Sequence, residues 1–273
     1  MQLGPYFERI GFRGRARADI DTLGELLRCH VLSVAFENLD VQLGRPLTIA
    51  VDEAYAKIVE RRRGGWCYEQ NGLFGWALSE IGFKVTRLAA AVMRHERGEV
   101  ATANHLTLRV NVPGSTTDYL ADVGFGGSML MPIKLEEGEH RQAPFRLGLK
   151  RLDDGHWRFW EDGGDGVFSF DFMADAGDEA ALAQRCDFLQ SDPSSGFVQN
   201  LVAQLRLADS HKTLRGRVFT TLTNDESTTD LLDSGMDVVD TLKDHFGLEV
   251  PGIEKLWPRI LARHEQLFSS TET

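Results

Sequence analysis

Cysteine is scarce in this chain, and its few copies lie far apart. The 273 residues contain three cysteines, Cys29, Cys67 and Cys186. This spacing fits neither a metal-ligand pair nor the even-numbered framework of a small secreted disulfide domain. We therefore expect reduced thiols in a cytoplasmic protein, and no metal site.

Long apolar runs and an excess of positive charge are also missing. No run approaches the ~20 apolar residues of a membrane-spanning helix, and the first residues lack the basic-then-apolar layout of a signal peptide. Acidic residues outnumber basic ones by 41 to 30, for a formal net charge of −11, which argues against general nucleic-acid binding. Ordinary apolar and charged fractions, 42% and 26%, indicate a soluble globular chain.

One segment, RGGWC at positions 63–67, stands directly before a helical pattern of apolar residues that runs to Ile81. The two glycines permit a tight backbone that other residues resist. Cys67 then lies at the N-terminus of a helix, where unpaired N–H groups and the helix dipole favour an anion. A thiol in that position loses its proton more easily than a free one. The alternative is a small buried cysteine with only a packing role.

Residues 1–83 are predicted to be mostly helical. Asp19 or Asp21 is expected to cap a leucine-rich helix, and Asp52 a second helix that runs into three arginines at positions 61–63. Arginines in a last turn suit the negative end of a helix. Arg63 also adjoins the glycine pair, and we expect it to form an ion pair with Glu37.

Strands dominate from residue 84 to about residue 175. A strand at 85–92 and a loop at 94–104 precede segment 105–112, which alternates leucines and valines with polar residues that include His105. Turn residues at 113–118 join it to a short strand at 119–123 that carries Asp122, so we expect an antiparallel hairpin. Further strands flank turns at 153–155 and 162–166. Together they predict a small barrel or a strongly curved sheet.

The last third of the chain mixes element types. We expect helices at 179–189 and 237–246, strands at 198–207 and 217–222, and a turn at 211–216. A final helix at 251–268 should be broken or bent by Pro258. No repeat or low-complexity linker separates the regions, so they should pack closely.

Three residues from these elements suit thiol chemistry. A thiolate nucleophile needs a base that holds or takes its proton, and a third group orients that base. Cys67 at a helix start, His105 on a polar strand face and Asp122 on the adjacent strand are residues of the required types. Facing side chains of paired strands lie within about 5.5 Å at Cβ, so Asp122 should reach His105. Spacing alone does not establish a triad, because each residue also has an ordinary structural role.

Taken in order, these segments resemble the signature of the arylamine N-acetyltransferases. The similar segments are FENLD at 36–40, RGGWCYEQN at 63–71, HL at 105–106 and DVGFG at 122–126. The resemblance is strong over the first half of the chain and agrees with its total length. Over the last third it extends only to the general layout.

The resemblance implies an α+β chain in three parts. These are an N-terminal helical bundle at 1–83 with the nucleophile, a central β-barrel at 84–190 with the histidine and aspartate, and a C-terminal α/β lid at 191–273. It also implies ping-pong transfer of acetyl from acetyl-CoA to the nitrogen of arylamines, arylhydrazines or N-hydroxyarylamines. By this analogy Cys67 carries the acetyl group, His105 forms an imidazolium–thiolate pair with it, and Asp122 orients the imidazolium.

By the same resemblance Phe125 lies where the family lines its acceptor pocket. The other residues expected to contact the acceptor are Val92, Met93 and Phe36, although Val92 and Met93 also suit a plain core. Those expected to contact CoA are Thr102, Gly126, Gly127 and Ser128, because a glycine-rich turn offers backbone N–H groups to phosphates; the alternative is an ordinary turn. The expected ligands are an arylamine or hydrazine and acetyl-CoA, and we expect no metal, nucleic acid or membrane as a partner. The protein is expected to be a monomer or a homodimer.

Two other functions would use the same residues. A thiol hydrolase or transglutaminase-like enzyme would form its acyl-enzyme from a peptide or amide, and water or an amine would resolve it. A catalytically silent relative would bind a ligand through the same cleft, although a binding module has no need of a nucleophile with its base.

Overall fold

Helices fill the first third of the chain, as predicted. The computed structural model describes residues 1–164 and 166–268. The first elements are α1 (Leu3–Ile10), α2 (Ile20–Ser33), the two-residue strand β1 (Phe36–Glu37), α3 (Leu39–Gln42), α4 (Val51–Tyr55) with a π-helical continuation (Ala56–Glu60), and α5 (Cys67–Ile81). Asp19 caps α2 by accepting a bond from Thr22 N at 2.8 Å. Asp52 is not a cap: Ala50 holds that position, and Asp52 lies in the first turn of α4.

An eight-stranded antiparallel sheet forms the middle of the chain. Its strands are β2 (Lys84–Val92), β3 (His105–Asn111), β4 (Asp118–Ala121), β5 (Ile133–Lys134), β6 (Gly138–Gln142), β7 (Phe145–Arg151), β8 (Trp157–Asp162) and β9 (Val167–Phe172). Their order is β5-β4-β3-β2-β9-β8-β7-β6. The sheet is a curled half-barrel, and over residues 1–164 and 166–268 its edge strands β5 and β6 do not pair. A two-residue edge strand offers too few backbone groups to close a barrel.

The connections between these strands include a helical turn and a tight hairpin. The predicted loop at 94–104 contains a helical turn, α6 (Arg94–Arg97), followed by a 3₁₀ turn (Gly98–Ala101). The predicted hairpin between β7 and β8 at 153–155 is present. Asp165, within the turn predicted at 162–166, lies outside the described residues.

A five-stranded antiparallel sheet with helices forms the last third. Its elements are α7 (Glu179–Ser191), α8 (Gly196–Gln199), β10 (Val202–Arg206), β11 (His211–Arg215), β12 (Val218–Leu222), β13 (Ser227–Leu231), α9 (Gly235–Phe246), a 3₁₀ turn (Ile253–Leu256) and α10 (Trp257–Phe268). The order is β1-β10-β11-β12-β13, so a strand from the N-terminal region forms one edge of this sheet.

Three expectations for this region were wrong. Residues 211–215 of the predicted turn form strand β11 instead, because β10 and β12 satisfy the backbone of this segment on both sides. The exposed strand β13 was missed, since its polar sequence STTDL has no apolar alternation. Pro258 is the second residue of α10 and does not break it. A proline is tolerated there because a first-turn N–H has no partner within the helix.

The glycine pair lets two backbone segments approach each other. Gly65 N donates to Ala35 O at 3.2 Å, and Glu37 N donates to Gly65 O at 3.1 Å. A Cβ added to Gly64 would collide with Ala35 O and lie 2.7 Å from Glu37 Cγ. Neither glycine has a positive φ. The pair is therefore required for close packing against β1 rather than for an unusual backbone angle.

A buried charge cluster fixes the segment before α5. Lys57 Nζ lies 2.9 Å from Glu69, 3.1 Å from Asp40 and 3.7 Å from Glu37. Arg63 lies 2.8 Å from Glu37 and 3.3 Å from Asp40, which confirms the predicted ion pair. We call these five residues the buried charge cluster.

The cluster also reaches the first turn of α5. Glu69 Oε2 accepts a hydrogen bond from Trp66 N at 3.2 Å, so it satisfies a backbone donor directly before the helix. Burial alone would lower the pKa of Lys57, but the carboxylates of Glu37, Glu69 and Asp40 outweigh burial and raise it. Lys57 is therefore charged, and the start of α5 is tied to the segment that contains β1 and α3.

Replacing Gly64 with alanine should destabilise the fold. The added Cβ has no space against the Ala35 carbonyl, so we expect a loss of about 2–3 kcal/mol in the free energy of unfolding. Urea denaturation measures this loss. Gly196→Ala, at an exposed site with nothing within 4 Å of the new Cβ, is the control and should stay within about 1 kcal/mol of the parent. Equal effects of the two changes would contradict the close-packing role.

Replacing Lys57 with methionine should lower the free energy of unfolding by more than replacing Gly64 with alanine does. It leaves three buried carboxylates with the partly buried Arg63 as the remaining cation of the cluster, and removing one partner of a buried ion pair costs about 3–5 kcal/mol. The control is Lys84→Met, at an exposed strand position. Thermal and urea unfolding of both variants measure the loss. The prediction would be wrong if Lys57→Met were as stable as its control.

Candidate active site

Cys67 is the first residue of α5 and is buried. It packs in an apolar cluster with Trp66, Tyr68 and Leu106. The backbone of Gly124 passes close by, since a Cβ built there would lie 2.7 Å from Cys67 Cα. The loop after β4 is therefore pressed against the start of the helix, as only a glycine allows.

His105 and Asp122 form a short hydrogen bond inside the protein. His105 Nε2 lies 2.6 Å from Asp122 Oδ2, and both residues are buried. His105 and Asp122 were expected to face each other directly across β3 and β4, and they do not. Leu108 pairs with Ala121, so Asp122, one residue beyond the strand, continues the register opposite Thr107, and its carboxylate reaches His105 diagonally.

Asn71 completes this arrangement, and sequence reasoning did not assign it a role. Its Nδ2 donates to Asp122 Oδ1 at 2.9 Å and to Leu106 O at 2.6 Å, while its Oδ1 accepts from Val123 N at 2.9 Å. The available signal was its position four residues after Cys67, which places both side chains on one side of α5. Asn71 links the helix of Cys67 directly to the aspartate.

The charges of His105 and Asp122 stabilise each other. Burial alone would lower the pKa of His105, but the charge of Asp122, its hydrogen bond and the contact with the Cys67 side chain raise the pKa to about 10. Burial alone would raise the pKa of Asp122, but the charge and hydrogen bond of His105 and the bond from Asn71 lower it. At neutral pH the site therefore holds an imidazolium and a carboxylate next to Cys67.

Phenylalanines surround His105 on the sheet side. The rings of Phe125 and Phe170 lie 5.1 and 4.9 Å from the imidazole. Phe125 also stacks on Phe168 at 5.0 Å and meets Phe159 edge-on at 5.9 Å. We call Phe125, Phe159, Phe168 and Phe170 the phenylalanine cluster.

The other residues that were predicted to contact the acceptor lie in two different places. Val92 pairs with Phe170 across β2 and β9, and Met93 follows it with a left-handed backbone, φ 54°. Both therefore adjoin the phenylalanine cluster. Phe36 lies elsewhere, in the apolar cluster of Cys67, with its ring 6.2 Å from that of Phe197.

The predicted CoA contacts form two separate groups. Gly126 and Gly127 are packed against β10, where Cβ atoms would meet Gln204 and Arg206. Ser128 is buried, and its hydroxyl has no hydrogen-bond partner. Thr102 is exposed after the 3₁₀ turn, and its hydroxyl donates to Glu99 at 3.4 Å.

Within residues 1–164 and 166–268, no group of three His, Cys, Asp or Glu side chains is placed to hold a metal ion. None of the helices in the described part of the chain has the length and apolar character needed to cross a bilayer. A cavity of about 500 Å³ between β11, β12 and α10 is lined by arginines such as Arg215 and Arg263 and contains none of the predicted site residues.

Comparison with known proteins gives a consistent result. A family model described as N-acetyltransferase matches residues 19–255. The arylamine N-acetyltransferase of Mycolicibacterium smegmatis is 37% identical over 257 residues, which cover 92% of this chain and 93% of that protein. The arylamine N-acetyltransferase of Mycobacterium tuberculosis is 33% identical over 267 residues, covering 93% and 91%.

Solved structures agree. The structure of the Mycobacterium marinum arylamine N-acetyltransferase in complex with CoA has a TM-score of 0.86 to this chain at 32% identity, and the match covers 97% of this chain and 99% of that one. A structure of the M. smegmatis enzyme has the same TM-score at 33% identity, covering 95% and 97%. With a family model and relatives that span most of its length, the chain belongs to the arylamine N-acetyltransferases, a family of acyltransferases.

Proposed function

We propose that this chain transfers acetyl from acetyl-CoA to the nitrogen of an arylamine, arylhydrazine or N-hydroxyarylamine by a ping-pong reaction through an acetyl-cysteine at Cys67. The observation that carries the proposal is the imidazolium–carboxylate pair of His105 and Asp122 beside a cysteine at a helix start. Family membership and a relative solved with CoA support the donor and the reaction class.

The first half-reaction moves the acetyl group onto the enzyme. An imidazolium next to the sulfur stabilises the thiolate, as does the positive end of α5. The thiolate attacks the thioester carbonyl, a new carbon–sulfur bond forms, and the bond to CoA breaks. His105 gives its proton to the departing CoA thiolate. One thioester replaces another, so the step is close to reversible.

The transient oxyanion of this step needs a hydrogen-bond donor. Cys67 is the first residue of α5, so its backbone N–H has no acceptor within the helix. We propose that this N–H donates a hydrogen bond to the oxyanion.

The second half-reaction delivers acetyl to the acceptor. An aromatic amine is weakly basic and neutral near pH 7, so it attacks the acetyl-cysteine without first losing a proton. His105, now neutral, takes the proton from the attacking nitrogen, and Cys67 leaves as the thiolate. The imidazolium–thiolate pair is thereby restored.

The phenylalanine cluster suits a flat acceptor, because apolar walls with few polar groups are typical of small-molecule sites. Phe125, Val92 and Met93 would line this side, and Phe36 the opposite side near Cys67. The turn Gly126–Ser128 and Thr102 remain proposed contacts for CoA. We further propose that the chain divides after residues 83 and 190 and that residues 191–273, of which 269–273 lie outside the described residues, form an α/β lid.

Acetyl-CoA alone should acetylate Cys67. Intact mass spectrometry is expected to find one added acetyl group, which disappears when an arylamine or hydrazide is supplied. Cys67→Ala should abolish both signals, and Cys29→Ala, on α2 away from the site, should keep them. Absence of acetyl-enzyme in the folded parent would refute the transferase function, and loss of acetyl to water at the same rate with or without amine would favour a thiol hydrolase.

Replacing Asp122 with asparagine should reduce the reactivity of Cys67. The charge that raises the pKa of His105 is removed, whereas burial, which lowers that pKa, remains. The imidazole is then neutral near pH 7, and iodoacetamide should modify Cys67 at least about tenfold more slowly. Asp118→Asn, on β4 but paired with Arg109 instead, is the matched control and should react like the parent. Unchanged alkylation of Asp122→Asn would contradict the ion-pair model.

A further inference from the structure

The cavity of about 500 Å³ beside β11, β12 and α10 is lined by basic residues. They are Arg215, Arg217, Arg259, Arg263 and His264. None of the described residues that line this cavity is an aspartate or a glutamate. Because the chain as a whole has a formal net charge of −11, the cavity is a local reversal of its charge. We call it the arginine cavity.

Neutral oxygens hold two of these arginines in place. Arg263 donates to three side-chain amide oxygens, at 3.2, 2.9 and 3.4 Å, which belong to Asn200, Gln199 and Gln266. Arg259 donates to the backbone carbonyl and the side-chain oxygen of Gln42. An amide oxygen orients a guanidinium group but adds no negative charge. The positive charges of Arg259 and Arg263 are therefore fixed in position without being neutralised.

The other two arginines add to this charge. Within residues 1–164 and 166–268, Arg217 is the one arginine of the cavity with a carboxylate in ion-pair distance, that of Asp233 at 3.1 Å. Asp233 is exposed, so the pairing is weakened by solvent. Arg215 is exposed at the end of β11. A concave surface that carries charge of one sign concentrates ions of the other sign, so the arginine cavity favours an anion with more than one negative charge.

The lining also indicates the chemical class of the anion. A guanidinium group presents a planar fork of N–H donors that matches two oxygens of one phosphate. Aliphatic side chains line the remaining wall, those of Leu201, Val218, Ile260 and Leu267. The volume lies within the range of about 300–1,000 Å³ that is typical of small-molecule sites, and a single phosphate would leave most of it empty. The lining therefore suits a compound with both phosphate groups and an apolar part.

We propose that the arginine cavity binds a small organic compound that carries two or more phosphate groups, such as a nucleotide. Its phosphates would contact Arg215, Arg259 and Arg263, and its organic part would pack on the aliphatic wall. The proposal concerns binding and does not depend on the proposed acetyl transfer.

Two sources of such a compound fit the position of the cavity. Thr213, which lines the cavity, pairs with Gln204, and Gln204 pairs with Phe36 in the apolar cluster of Cys67. Paired residues share a face of the sheet, and two strand spacings of about 4.8 Å separate Thr213 from Phe36 by about 10 Å. An elongated donor such as CoA would have its phosphates in the cavity and its thiol at Cys67. A shorter phosphate compound would occupy the cavity alone.

Isothermal titration calorimetry of the full chain with adenosine 3′,5′-bisphosphate tests the site. We expect saturable binding to one site that weakens as salt is added, because charge attraction contributes to it. Adenosine, which has the same organic part without phosphates, should bind at least about a hundredfold more weakly, because it lacks the charge-assisted hydrogen bonds to arginine.

Variants assign the binding to the arginine cavity. Arg215→Gln should weaken it at least about tenfold, the loss of one charge-assisted hydrogen bond. This variant should fold normally, since Arg215 is exposed at the end of its strand. Arg263→Gln should have a similar effect. The matched control is Arg141→Gln, which makes the same change of charge at an exposed position on β6 and should bind within about twofold of the parent.

Kinetics of acetyl-enzyme formation distinguish the two sources. If the phosphates are those of CoA, adenosine 3′,5′-bisphosphate competes with acetyl-CoA. Arg215→Gln then raises KM for acetyl-CoA at least about tenfold relative to KM for S-acetyl-N-acetylcysteamine, a donor without phosphates. If the ligand is a separate compound, the bisphosphate binds without raising KM for acetyl-CoA. Either result supports the site and identifies its ligand.

Three results would count against these assignments. The site is refuted if the folded parent binds neither adenosine 3′,5′-bisphosphate nor inorganic pyrophosphate, or if Arg215→Gln and Arg263→Gln both bind like the parent. Equally tight binding of tricarballylate, a tricarboxylate, would refute the selection of phosphate over carboxylate. A parent that binds the bisphosphate but forms no acetyl-enzyme would refute the proposed transfer and leave the arginine cavity as a phosphate site.

Discussion

The carboxylate of Asp122 is the group on which the active-site geometry depends. A buried carboxylate is tolerated only when donors surround it. Here the donors are His105 Nε2, Asn71 Nδ2 and Gly124 N, at 2.6, 2.9 and 2.8 Å. They belong to β3, to α5 and to the loop after β4, so a single anion connects three elements that are distant in sequence. If one donor moved away, a buried charge would be left uncompensated. The free-energy cost of that charge holds the elements that carry Cys67 and His105 in fixed positions relative to each other.

The buried charge cluster performs a similar task on the other side of α5. Three carboxylates and two cations link the segment around β1 and α3 to the first turn of the helix. Glu69 has two roles, because it balances Lys57 and also places a negative charge at the positive end of the helix. The RGG segment passes between these partners, which explains why it can hold no side chain larger than hydrogen at Gly64. Cys67 is thus fixed from two directions by electrostatics and from a third by close packing.

Local patterns predicted the parts of the site that depend on short-range order. The helix after Cys67, the alternation that places His105 on the polar face of its strand, and the hairpin that brings Asp122 beside it all follow from residue spacing. Family resemblance supplied the roles. What the sequence alone did not predict depends on long-range pairing: the diagonal reach of Asp122, the role of Asn71, and the strand at 211–215, which exists because two neighbours satisfy its backbone. The curled sheet that does not close is likewise a property of edge strands rather than of any local pattern.

Two carboxyl groups near the phenylalanine cluster are placed in opposite environments. Asp122 is surrounded by donors, which lower its pKa and keep it charged. Glu161 lies on the same face of β8 as Phe159, where burial raises its pKa to about 8 although Ser128 and His105 oppose the rise. Each charge affects the other, since the anion at Asp122 makes a second anion nearby less favourable. The anion at Asp122 therefore acts on both neighbours: it raises the pKa of His105, and it adds to the rise in the pKa of Glu161 that burial causes. Sites that contain two carboxyls commonly use such a difference to separate their roles. Here the carboxylate of Asp122 is hydrogen-bonded to the imidazole of His105, whereas the carboxyl of Glu161 remains mostly uncharged at pH 7.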